Sequence, residues 1–218
     1  MNRLRLVLAF ILVALVCGSL PVAARASDLS STSSITQQAQ QAAAAGNTTR
    51  ALGLYELAIT QAAEQTDAAS QTDAVAGPLE GQYWRLIGQS GDFPRAFDFF
   101  TALASQQKNP SPTLLASEAS ATGTYIGWLY QNKLAASVAP AALQQMDARA
   151  RSNYGRALAI DPDNFAALYG YAIYESYSPD GKAHMQQLLA KLNSLRSTHP
   201  QYPWQLVDYL EQHGHPQS

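Results

Sequence analysis

Three times along the chain a small residue, an aromatic and a second small or apolar residue stand at offsets of zero, four and seven: Ala51, Tyr55 and Ala58; Ala96, Phe100 and Leu103; Ala150, Tyr154 and Ala157. Side chains three and four apart are neighbours on a helix, so each set marks one helical face. Between these sets other apolar stripes keep the same spacing. Leu79, Tyr83, Leu86 and Ile87 form one, with Trp84 beside it. Met185, Leu188, Leu189, Leu192 and Leu195 form another, and Trp204, Val207 and Leu210 a short last one. Val/Ile/Thr-rich alternation of the kind that marks strands is missing, so the pattern predicts an all-α chain.

The punctuation predicts where the helices begin and end. One Ala/Gln helix spans Ile35 to Ala45 and closes at Gly46; Asn47 or Thr48 caps the next, which runs to about Glu64. Pro78 suits a first helical turn, Gly91 breaks the chain, and Asp92 caps the helix that carries Ala96. Pro112 opens a helix reaching Lys133, weakened in its middle by Ser, Thr and Gly. Pro140 opens a long helix that ends at Asp161, because Pro162 forces Asp161 out of helical geometry. Asp163 or Asn164 then caps Phe165 to Tyr177, Asp180-Gly181 turn the chain, and the last helix starts near Pro203 and stops before Gly214. Segments 65–77 and 105–140 read as insertions between the repeated patterns.

The N-terminus changes the picture. Arg3 and Arg5 precede an apolar run from Leu6 to Val16, followed by Leu20-Pro21 and Ala24-Arg25-Ala26. This is the form of a secretory signal peptide over residues 1–26, cleaved near Ala26. The run falls short of the ~20 residues that span a bilayer, which disfavours an uncleaved anchor, and Val16 before Cys17 disfavours a lipidation site. Residues 27–34, SDLSSTSS, read as a flexible leader, leaving 35–218 as the helical domain. Cleavage leaves 11 basic and 16 acidic residues, a formal charge of −5, and no cysteine. A mildly acidic chain without a Lys/Arg cluster is a poor ligand for nucleic acid or anionic lipid. The expectation is a mature protein that is periplasmic or secreted and not embedded in a membrane.

Ala150, Tyr154, Ala157 and Pro162, at offsets of zero, four, seven and twelve, are similar to the second-helix signature of the tetratricopeptide repeat family, and the two earlier sets resemble it without the proline. The alanines are separated by 45 and 54 residues rather than the family's ~34. The resemblance implies a solenoid, a right-handed superhelix of antiparallel helix pairs with a C-terminal capping helix, in which small residues let helices approach and the aromatic fills the crossing. It also implies a concave face that holds a protein or peptide, and on that reckoning Gln40, Arg85, Gln89, Ala166, Tyr169, Ile173, Ser176 and Tyr177 face the groove.

Chemistry is hard to find. The phosphate-loop glycines, HExxH and GxSxG signatures are absent from the sequence. His213 and His215, near Glu211, make an HxH pair better read as solvated tail residues than as metal ligands. Glu175 and Asp180 read as surface charges at a helix end. No catalytic residue, cofactor or metal is therefore assigned, and the reading is a non-catalytic scaffold or assembly factor of the bacterial envelope. The rival is an α-helical envelope enzyme acting on polysaccharide or peptidoglycan through carboxylates such as Glu80, Glu118 or Glu175.

Overall fold

The computed structural model describes residues 29–64 and 72–214; the expected signal peptide, Cys17, most of the 65–77 insertion and His215 lie outside them. Among the described residues the chain is α-helical apart from turns and one 3-10 turn, without a strand. It divides at Asp92 into two compact units.

The N-terminal unit holds α1 (Leu29–Ala44), α2 (Thr48–Glu64) and α3 (Thr72–Ser90). Gly46 takes a left-handed φ of 74°, which lets the Asn47 N–H reach back to the Ala42 carbonyl at 2.9 Å and close α1. Asn47 then accepts from the Arg50 N–H at 3.2 Å, so one dipeptide ends a helix and starts the next. α1 packs on α2, and α2 on α3. Ala51, Tyr55 and Ala58 are buried on one face of α2 with Leu52, Ile59 and Ala62, opposite Ala39 and Ala42 of α1 and Tyr83 and Ile87 of α3.

Two expectations fail here. The leader is helical from Leu29: Thr32 is buried against α2, with its hydroxyl 3.4 Å from Gln61 Oε1, so packing overrides the weak propensity of Ser and Thr. Pro78 does not open α3 but lies inside it, where it removes the donor to the Ala74 carbonyl and crowds that carbonyl with its ring.

The C-terminal unit holds α4 (Phe93–Gln106), α5 (Pro112–Gln131), a 3-10 turn (Ala135–Ser137), α6 (Pro140–Ile160), α7 (Phe165–Ser176), α8 (Lys182–Ser194) and α9 (Trp204–His213). Ser111 caps α5 through the Leu114 N–H at 3.1 Å, with Pro112 in the first turn. Asn164 caps α7 through the Ala167 N–H at 3.0 Å. Asp161 ends α6 in an extended conformation, and Pro162 after it is exposed.

α5 is the centre of this unit. It packs against α4, α6 and also α7, so a helix touches both its neighbour and the next but one. Its Ser, Thr and Gly residues are there for close approach rather than for helix propensity: Thr113, Ser117, Thr122, Gly123, Thr124 and Gly127 are all buried. Small side chains let three helices press on one rod, and the apolar area buried there outweighs propensity losses of under ~1 kcal/mol each. Tyr154 of α6 sits at this crossing, wholly enclosed between the buried Ala150 and Ala157. Its hydroxyl is 2.9 Å from Ser120 Oγ of α5, and its ring stacks on Tyr171 of α7 at 4.9 Å between centroids. Gly170 makes the room: a Cβ there would stand 3.0 Å from the Tyr154 hydroxyl and 3.2 Å from Ser120 Oγ. Ala96, Phe100 and Leu103 are likewise buried on α4.

α8 packs on α7, and α9 on α8. An aromatic group closes this end. Phe165 lies against Tyr169, Tyr202 and Trp204, and the Trp204 indole donates to the His199 carbonyl at 3.1 Å.

Candidate functional site

Within the C-terminal unit, α5, α6 and the end of α7 enclose an open cavity of about 560 Å³. α5 contributes Gly123, Ile126, Gly127 and Tyr130, at offsets of zero, three, four and seven, one helical face. α6 contributes Leu143, Gln144, Asp147 and Arg151, again one face, α7 adds Tyr174 from its last turn, and the chain leaving it adds Tyr177, Ser178 and Pro179. Glycine on α5 gives a low floor, and the tyrosines and aliphatics give apolar walls.

Arg151 organises the polar side. Its Nε–H donates to Asp147 Oδ2 at 3.2 Å, one turn back on α6. Nη1 donates to Glu175 Oε1 and Nη2 to Ser178 Oγ at 3.1 Å, and the guanidinium lies 5.4 Å from the centre of the Tyr174 ring. The Tyr174 hydroxyl in turn donates to Asp147 Oδ1. Burial alone pulls the Arg151 guanidinium down, but the Glu175 and Asp147 carboxylates outweigh it and leave its pKa raised. Burial, then the Asp147 carboxylate, pushes the Tyr174 hydroxyl well above its usual range, so it stays a proton donor to Asp147. His184 Nδ1 stands 3.3 Å from Glu175 Oε1, with its ring edge-on to Tyr171.

A second buried network lies nearby on the same two helices. Glu118 of α5 is completely enclosed; it pairs with Arg149 Nε at 2.6 Å, accepts from the Asn153 amide, and is 3.4 Å from the Thr122 hydroxyl. Arg156 Nη1 donates to Asn153 Oδ1 at 3.0 Å. Glu118 and Glu175 are thus each held by an arginine, and neither lines the cavity. Glu80 is buried in the other unit. Among the described residues no group of three His, Cys, Asp or Glu could hold a metal ion.

The groove positions inferred from the family resemblance scatter. Tyr177 lines the cavity. Tyr169 and Ile173 do not: both are buried, and the Tyr169 hydroxyl donates to the Leu206 carbonyl at 3.3 Å, because α8 and α9 cover the face of α7 that was expected to be open. Ser176 is buried too, its hydroxyl bonded to the Ile173 carbonyl at 2.6 Å. Gln40, Arg85 and Gln89 are exposed residues of the N-terminal unit. Glu175, expected at the surface, is 1% exposed beneath Arg151. The residues that sequence reasoning missed, Asp147 and Arg151 above all, carry one local signal: opposite charges four apart on a helix. His213, half of the HxH pair, stacks on Tyr209 at 4.3 Å and is exposed.

No protein-family model, curated protein or solved structure matches the chain.

Proposed function

We propose that the chain is a non-catalytic, exported, tetratricopeptide-like scaffold or assembly factor of the bacterial envelope, and that the cavity between α5, α6 and α7 receives a segment of a partner protein. The observation that carries this reading is the cavity itself: an open space of about 560 Å³ with a glycine floor, three tyrosines and two aliphatic side chains, and polar groups gathered on one side. Such a lining suits contact with rigid aromatics and orientation by a few polar groups. The helical-pair architecture is supported by α5 packing against both α6 and α7, as stacked hairpins do, and by the buried small–aromatic–small sets on α2, α4 and α6. Export is supported by the signal-peptide form of residues 1–26 alone.

The test places a photo-crosslinking amino acid at Gln144, on the cavity rim, and at the exposed Gln187 of α8 in the protein expressed in its native cell. The expected result is one discrete adduct from position 144, lost when Gly127→Leu fills the floor, and none from 187. Identical adducts from both positions, or none from 144, would remove the reading. Export is checked separately, by finding a mature form beginning near Ser27 in the envelope fraction.

A further inference from the structure

The charge distribution around the cavity says what kind of side chain it takes. Arg151 looks like an anion receptor, but its guanidinium is already shared by two carboxylates of the chain, Asp147 and Glu175, and its remaining amine donates to Ser178. The immediate sum of these three charges is negative. An incoming carboxylate or phosphate would meet a neutralised arginine with an acid on each side, an arrangement that repels it.

A cation meets the opposite situation. Asp147 lines the cavity and its side chain is 49% exposed, whereas Glu175 is buried behind Arg151 at 1%. Two bonds, from Tyr174 and from Arg151, use only part of the roughly four lone-pair sites a carboxylate offers. Ile126, Leu143 and Tyr177 line the same cavity and can cover an alkyl stem while its charged end reaches the acid. Aromatic faces next to a carboxylate are a cation-accepting combination.

We infer that the cavity selects the basic side chain of a partner's peptide segment, its stem between Ile126, Leu143 and Tyr177 and its charged end on Asp147. This rests on the partner-segment reading above and sharpens it to one side-chain class.

The experiment titrates the full mature protein with three blocked pentapeptides, acetyl-Gly-Ala-X-Ala-Gly-amide, where X is lysine, norleucine or glutamate. Methyl NMR shifts of Ile126 and Leu143 give the affinities. Norleucine keeps the lysine stem without the ammonium, so the pair isolates the charge. The lysine peptide should bind about tenfold more tightly than norleucine, and glutamate more weakly than either. Asp147→Asn, which keeps an acceptor for Tyr174, should erase the lysine advantage and leave norleucine unchanged. Raising salt on the unmodified protein should do the same in part, which serves should the variant fold poorly. Equal binding of lysine and norleucine at the two methyls would keep the cavity as a peptide site and overturn the charge selection. Absence of any shift with all three peptides would overturn the cavity reading together with it. Displacement of the lysine peptide by butylamine at equal concentration would assign the site to free amines, against the inference.

Discussion

The two units of the chain use the same small–aromatic–small set and surround it differently. In the N-terminal unit Tyr55 is buried with alanines, aliphatic side chains and Tyr83 of the facing helix, its hydroxyl pushed up by burial and opposed by the exposed Arg85 nearby. In the C-terminal unit Tyr154 is tied to Ser120, has the Glu118 carboxylate within electrostatic reach, and stacks on Tyr171, so polar groups are gathered about it. The shared set therefore tells how helices meet. The groups around it decide whether anything else can happen there.

The sharpest test of that difference is electrostatic. Arg149→Ala takes the counter-charge from the enclosed Glu118 carboxylate, leaving it the Asn153 amide and the Thr122 hydroxyl, and should cost about 1 to 3 kcal/mol in urea unfolding, with more than half restored by adding Glu118→Gln. Arg85→Ala, a solvent-facing arginine of the other unit, should stay within about 0.5 kcal/mol. If both arginines cost the same, the two interiors are not distinct in the way described.

Overpacking should not distinguish the units. Ala157→Leu and Ala58→Leu each fill a site with no exposed area and should each lose about 1 to 3 kcal/mol, read as a fall in melting temperature. A tolerated leucine at either place would show that the helices there can separate.

The hydroxyls should differ again. Tyr154→Phe loses the bond to Ser120 and should cost about 1 kcal/mol, while Tyr55→Phe, whose hydroxyl has no hydrogen-bond partner among the described residues, should cost under about 0.5 kcal/mol. Alkaline titration reads the same contrast through protons. Burial holds the Tyr154, Tyr169 and Tyr174 hydroxyls far above their unfolded values, so the folded chain keeps protons that the unfolded chain gives up near pH ~10. Stability from these groups is complete below that pH and falls as the pH rises beyond it. Phenolate absorbance from the three should appear only with unfolding, and early appearance at native circular dichroism would contradict their enclosure.

Much of the helical outline was legible because its signals are local. Gly46, Pro112, Pro140, Pro162 and Asn164 act within a few residues of the boundaries they set, and the repeated apolar offsets name buried faces that need no partner to be recognised. What failed depends on distant chain. The start of α1 is held by Gln61 across 29 residues, and the low-propensity middle of α5 is justified only by the three helices around it. The candidate site was harder still. Asp147 and Arg151 pair within one helix, yet Glu175, Ser178 and Tyr174 reach them from 24 to 27 residues away, and no periodicity announces such a meeting. Tyr169 misled because α7 is apolar nearly all round, so its pattern does not say which side α9 will cover.

The close approach of Gly170 to the Tyr154 hydroxyl couples the spacing of three helices to the absence of one side chain. A methyl group at 170 would press at once on the hydroxyl and ring edge of Tyr154 and on Ser120 Oγ, so any side chain there has to push α6 or α5 back by a few tenths of an ångström.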